Sequence, residues 1–180
     1  MLTDEQIMQQ VASGDIEKSG ILFQRYKTAM YNFYLRSTYD QSLSEDLTQQ
    51  VFIKLIKYRN SYKNDNSFKS WLYRIATNVK YDYFRKEKSH KNRNKIYSAT
   101  QEEMIDPRQK IEKSECEKML HQALNNLPED QREVIWLTRF EKMKYADVAK
   151  VFECTESAIK VRVHRAMKKL KTEYLQLERL

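Results

Sequence analysis

The sequence predicts an all-α protein: two small helical domains joined by a flexible linker, the second containing a helix-turn-helix. Three observations carry this. Only two glycines and two prolines interrupt the 180 residues, which favours helix over sheet. Apolar residues recur at helical spacing on both sides of the middle of the chain. From Glu87 onward that periodicity collapses into a basic run, Lys88, Lys91, Arg93 and Lys95, followed by the acidic Glu102, Glu103 and Asp106. The expected division is residues 1–89, a linker at 90–113 and residues 114–180.

The elements follow in chain order. Thr3 with Gln6 forms a capping box that opens a short first helix, and Ser13-Gly14-Asp15 breaks it. A long aromatic-rich helix is expected from about Ile16 to Tyr39, with Leu22, Phe23, Tyr26, Met30, Phe33 and Tyr34 on its core face. Ser44-Glu45-Asp46 places acids where a helix dipole favours them, so the next helix is expected to start there. Leu47, Val51, Phe52, Leu55 and Ile56 form its apolar stripe, leaving Asp46, Gln49, Gln50 and Lys54 outside it. The run from Asn60 to Ser67 is a polar loop, and Ser67 can cap the helix from Phe68 to about Lys86. Trp71, Leu72, Ile75, Ala76, Val79 and Tyr83 are that helix's buried stripe. Arg74, Asn78, Lys80, Tyr81 and Arg85 are left for other surfaces.

The second domain is expected to begin near Ser114, with Cys116, Met119, Leu120, Ala123 and Leu124 on its first helix. Pro128 is expected at the first helical position of the next, with Glu129 and Asp130 in its first turn. Val134, Ile135, Leu137 and Phe140 supply a core stripe. The helix-turn-helix follows, and a Lys/Arg-rich helical tail ends the chain.

Bulk properties narrow the function. A net charge of +8 and a pI near 9.3 suit a polyanionic partner. Cys116 and Cys154 lack CxxC or HxxxH companions, so no metal site is expected, and buried, inert thiols are the simpler reading. No apolar run approaches the roughly 20 residues that span a bilayer, and the acidic N-terminus is unlike a signal peptide, so the cytoplasm is the expected compartment. His90, His121 and His164 lie apart in the sequence, and no phosphate loop or nucleophile elbow appears. No catalytic residues, cofactor or small-molecule substrate are therefore expected.

The last helix carries the clearest chemistry. Thr155 stands where an N-cap is wanted, and Ile159, Val163, Ala166 and Leu170 repeat at intervals of 4, 3 and 4. That stripe packs on Val148, Ala149 and Phe152 of the preceding helix. Glu156, Ser157, Lys160, Val161, His164 and Arg165 project away from it. Cations can donate to guanine edges, and small apolar groups can meet the thymine methyl. Arg162, Lys168, Lys169 and Lys171 are placed for phosphates, which position without specifying. Six Lys/Arg and no acid lie between Lys160 and Lys171, as expected of a recognition helix in a DNA major groove. Glu153 occupies a turn position that commonly holds Gly, at a strain of roughly 1–2 kcal/mol if φ is positive.

Three blocks resemble one family. Leu127-Pro128 with Arg132-Glu133-Val134, Tyr145 with Val148-Ala149, and Ala158 through Ala166 together resemble the C-terminal domain of sigma-70 family factors. Asp46 through Leu55 looks like that family's helix for binding core polymerase. Phe68 with Trp71 through Asn78, and Asp82 and Arg85 beyond, looks like its promoter-melting and −10-reading helix. Two such domains without others resemble the extracytoplasmic-function (ECF) group. The resemblance implies a sigma factor that directs bacterial core RNA polymerase to promoters. It places Asp46, Gln49, Gln50, Phe52 and Lys54 against core polymerase. It places Tyr62, Asn64, Asn66, Trp71, Asn78, Lys80 and Arg85 at the melted −10 strand, where amides can read an unpaired base edge and aromatics can stack. Lys86 and Lys88 would track the nearby backbone. Glu156, Ser157, Lys160, Val161, Arg162, His164, Arg165 and Lys168 would meet duplex DNA at −35. An anti-sigma factor, often membrane-bound, is the further partner implied. The alternative is a helix-turn-helix repressor or activator that works without polymerase. A DNA-processing enzyme such as a tyrosine recombinase needs an Arg/His/Arg set and a Tyr nucleophile, whose spacing this sequence lacks.

Overall fold

The computed structural model describes residues 2–63, 67–93 and 115–178 and contains helices and turns, with no strand, among them. The chain divides into two compact units, residues 1–105 and 106–180. The expected linker, apart from its first residues, lies outside the described residues.

The N-terminal unit opens with α1 (Asp4–Ala12), closed at its start by the expected capping box: Gln6 N donates to Thr3 Oγ1 at 3.2 Å and Thr3 N to Gln6 Oε1 at 3.0 Å. Ile7, Met8 and Val11 are its buried face. The chain leaves α1 through Gly14 at φ +118, a conformation that side chains with a Cβ rarely adopt. A single 3₁₀ turn, Ile16–Lys18, leads into α2 (Ser19–Thr38). The expected helix start at Ile16 is thus three residues early, because Ile16–Lys18 winds more tightly than an α-helix.

Helix α3 (Gln41–Lys57) corrects another expected boundary. Asp40, not the Ser44–Asp46 segment, caps it by accepting from Leu43 N at 3.0 Å. Ser44 lies inside the helix, fully buried, and pairs with the Thr38 hydroxyl at 2.9 Å. Tyr39, left-handed at φ +55, allows α2 and α3 to be joined by two residues.

Helix α4 (Phe68–Arg93) extends beyond the end near Lys86 that the apolar periodicity suggests. Phe68 N donates to Glu5 Oε1 at 3.1 Å, so a carboxylate from α1 satisfies one orphan donor at its start. The Tyr34 hydroxyl, fully buried, donates to Ala76 O at 2.9 Å and ties α2 to α4. Phe68, Leu72, Tyr73, Ala76 and Val79 are buried, while Trp71 and Tyr83 are only half-buried. α2 packs on α3, α3 on α4, and α1 lies against α2 and α4.

In the C-terminal unit, α5 (Glu115–Asn125), α6 (Glu129–Ile135) and α7 (Tyr145–Val151) all pack on α8 (Glu156–Leu177). Pro128 stands one place outside the expected site, as the residue before α6. After Ile135 the helix widens into one π turn, Trp136–Phe140, with Glu141 N donating to Trp136 O at 3.0 Å. That widening rotates Phe140 out of the expected core stripe. It is 44% exposed and stacks on Trp136 with centroids 4.1 Å apart. Val134, Ile135 and Leu137 remain buried. Cys116 is also corrected: it is exposed, in a solvent-accessible contact of its Sγ with the Tyr174 hydroxyl of α8 at 3.0 Å, whereas the buried residues of α5 are Ala123 and Leu124 at its other end.

Candidate nucleic-acid and polymerase interface

The turn between α7 and α8 is built as the sequence suggests. Thr155 Oγ1 accepts from Ala158 N at 3.1 Å, and Cys154 N donates to Ala149 O at 3.0 Å. Ile159, Val163, Ala166 and Leu170 are all buried. Glu153 adopts φ +52, so the turn keeps its left-handed residue without a glycine. Glu153→Gly is therefore expected to stabilise the unit by about 0.5–1 kcal/mol, the relief of left-handed strain less the entropy of a glycine. Chemical denaturation checks this, and a lower unfolding midpoint in the variant would contradict it.

Glu156, Ser157, Lys160, Val161, Arg162, His164, Arg165 and Lys168 are all exposed. At 3.6 residues per turn, Ser157, Val161, His164 and Lys168 share the face opposite the core stripe, with Arg165 beside them. Lys160 and Arg162 fall on opposite flanks. The face thus carries Ser157, Val161, His164 and the cation Lys168 between the flanking cations Lys160 and Arg162, groups suited to base edges and phosphates. Glu156 Oε1 lies 2.8 Å from Lys160 Nζ, and this hydrogen bond, with the Glu156 charge, holds the Lys160 ammonium above its ordinary range.

On α3, Asp46, Gln49 and Gln50 are exposed. Ile53 shares their side of the helix and is 64% exposed, which makes it the prominent apolar group there. The sequence reading missed it as a site residue. Its signal was available: position 53 falls between the core positions Val51 and Leu55, outside the apolar stripe. Phe52 does not share this surface. It is buried against the Phe23 ring, 4.9 Å between centroids, because it continues the stripe of Leu47, Val51 and Leu55. Lys54 turns toward α4, its Nζ 3.1 Å from Asp82 Oδ2.

On α4, Asn78 and Arg85 are exposed, and they align with the exposed Arg74 and Tyr81 at intervals of 4, 3 and 4. Arg74 and Tyr81 were not among the expected site residues, although that spacing was readable. Lys80 is the main correction. It is fully buried, with its Nζ 5.7 Å from the centre of the Phe33 ring and 5.5 Å from that of Tyr81. Position 80 continues the core stripe of Tyr73 and Ala76, and aromatic rings accept the cation there. Tyr62 is 9% exposed and sits edge-on to Trp71 at 5.2 Å and Phe68 at 6.3 Å, so its ring is engaged in packing. Trp71 is half-buried in the same cluster. Asn64 and Asn66 lie outside the described residues. Asp82 receives Lys54 on one oxygen and Arg85 on the other, at 2.8 Å. The Lys54 hydrogen bond holds its carboxyl below the ordinary carboxylate range.

Among the described residues no group of His, Cys, Asp and Glu is arranged to hold a metal ion, and no helix is long and apolar enough to cross a membrane.

The described residues thus present an exposed polar face on α3, an aromatic–cationic row on α4 and, in the second unit, a capped helix-turn-helix. Residues 22–90 match the sigma-70 region 2 family, and residues 117–170 match sigma-70 region 4. The chain belongs to the sigma-70 family, in its extracytoplasmic-function group. It is 27% identical over 173 residues to the RNA polymerase sigma-H factor of Pseudomonas aeruginosa, covering 91% of this chain and 89% of that one. It is 26% identical over 174 residues to the ECF sigma-E factor of Haemophilus influenzae, covering 92% of each. Among solved structures it is similar to the Bartonella quintana sigma factor RpoE in complex with the anti-sigma factor NepR: TM-score 0.67, 25% identity, 87% of this chain and 96% of that chain. The fold is also that of CnrH in its complex with the cytosolic domain of CnrY: TM-score 0.68, 23% identity, 94% of this chain and 95% of that chain.

Proposed function

We infer that this chain directs bacterial core RNA polymerase to specific promoters and initiates transcription there. The observation that carries this reading is the presence of regions 2 and 4, in that order, in one chain. An autonomous helix-turn-helix repressor would need region 4 alone. The exposed face of α3, Asp46, Gln49, Gln50 and Ile53, docks on core polymerase. The exposed row on α4, Arg74, Asn78, Tyr81 and Arg85, lies along the opening −10 duplex. Asn64 and Asn66 read an unpaired base there, with Tyr62 and Trp71 as the aromatic wall behind it. The outward face of α8 enters the −35 major groove. Strand opening draws on binding energy, so the chain performs no bond chemistry and needs no cofactor.

It works in the cytoplasm. The similarity to a sigma factor solved with its anti-sigma factor supports an anti-sigma partner here too, which would hold the chain at the inner membrane face if that partner is anchored there. The domain limits are 1–89 and 114–180, with 90–113 as the tether.

The deciding experiment adds the purified chain to sigma-free bacterial core polymerase on a promoter library. Run-off transcripts are expected only when both are present. Tight duplex binding by the chain alone, with no transcript, would establish the repressor reading instead. Within that assay, Arg165→Ala is expected to weaken −35 recognition by about 1–3 kcal/mol, the worth of a bidentate base contact. Core affinity should not change. An equal loss on all sequences would make Arg165 a phosphate clamp.

A further inference from the structure

Lys54 lies on the helix whose outer face is assigned to polymerase, yet its ammonium is directed to Asp82 on α4. Asp82 in turn holds Arg85, three residues further along α4. The side chains of Lys54, Asp82 and Arg85 are 28%, 41% and 80% exposed, so exposure rises from one end of the chain of contacts to the other. Only the last member presents most of its surface to solvent.

The chemistry of the three groups is complementary. A guanidinium has five N–H donors in a rigid fork, and the contact with Asp82 uses one nitrogen, Nη2. A carboxylate at its base fixes the fork's direction and reduces the rotamer freedom lost when it meets a phosphate. A lone carboxylate beside a polyanion would be repelled by it. Lys54 offsets that charge, so the triad carries one net positive charge.

We propose that Lys54 and Asp82 are positioning residues for Arg85: Lys54 anchors Asp82, and Asp82 aims the Arg85 guanidinium at the promoter backbone beside the melted −10 strand. Lys54 thereby serves the DNA-facing surface of α4 and not the polymerase-docking surface of α3. The inference rests on the reading that the exposed row of α4 meets promoter DNA.

The test uses holoenzyme reassembled from sigma-free core and the full chain. It binds a fork-junction promoter probe with a single-stranded −10 segment, titrated across salt. Lys54→Ala, Asp82→Asn and Arg85→Ala are each expected to weaken probe binding about two- to fivefold, the scale of an exposed ion pair. Arg85→Ala should also make the salt dependence shallower by about 0.7–0.9 in log–log slope, one phosphate contact. The Lys54→Ala/Arg85→Ala double variant should bind no more weakly than Arg85→Ala alone, because Lys54 acts only through Arg85. Lys54→Arg should restore wild-type binding, and core affinity should be the same for all variants.

Additive losses in the double variant would overturn the relay. So would a Lys54→Ala chain that loses core affinity yet, once assembled, binds the probe like wild type. A wild-type holoenzyme that fails to bind the probe would instead sink the promoter reading itself.

Discussion

Ile159→Ala is expected to destabilise the C-terminal unit by about 2–5 kcal/mol, the cost of deleting buried methyl groups and leaving a cavity. Ile159 has no exposed surface, and it sits on the face of α8 that packs against α5, α6 and α7. A unit of this size has a total stability of about 4–11 kcal/mol, at roughly 0.05–0.15 kcal/mol per residue. The substitution therefore removes a large share of it. Hydrogen exchange resolved along the chain should show protection lost in α5–α8 and retained in α1–α4. Promoter probes that depend on a −35 sequence should lose affinity, while core polymerase should still bind. Protection lost equally in both units would mean that they do not fold as separate cores.

Ile53→Asp is expected to lower affinity for core polymerase by at least about 2 kcal/mol, or roughly 30-fold. An aliphatic side chain that is 64% exposed contributes little to the fold, so its replacement should leave stability within about 0.5 kcal/mol. At an interface the same side chain becomes an apolar anchor among polar neighbours, here Asp46, Gln49 and Gln50. A carboxylate there would have to be buried without a partner. Titration of core polymerase with labelled protein measures the loss directly. An affinity within twofold of wild type would remove Ile53 from the docking surface and leave Asp46, Gln49 and Gln50 to account for it.

The two faces of α8 were legible because their signals do not overlap. The buried stripe from Ile159 to Leu170 is aliphatic, and the outward positions are cationic or small, so each residue type names its own face. Helix α4 was harder because both of its faces carry aromatic and cationic residues. Lys80 and Arg85 look alike in a sequence, and so do Tyr73 and Tyr81. Burial separates them: Lys80 and Tyr73 are enclosed, whereas Arg85 and Tyr81 are exposed. On α3, Phe52 and Ile53 are adjacent and similarly apolar, but a helix turns about 100° between them, and only one can face the core.

By itself the sequence determined the helical content, the break into two units, the capping box at Thr3 and which face of α8 is buried and which exposed. These depend on contacts within a few residues: caps bond three positions on, and faces repeat every three or four. The tertiary structure alone decided where α3 begins: Asp40 caps it, and the start expected at Ser44–Asp46 lies inside the helix, with Ser44 bonded to Thr38. It also decided that Lys80 belongs to the core, that Phe140 is turned outward by a π turn, and that Lys54 is held by Asp82. Each of these outcomes turns on groups brought together by packing or on a local change in helical winding. Energies of that kind depend on which neighbour arrives and on how the backbone winds, and neither is written in local periodicity.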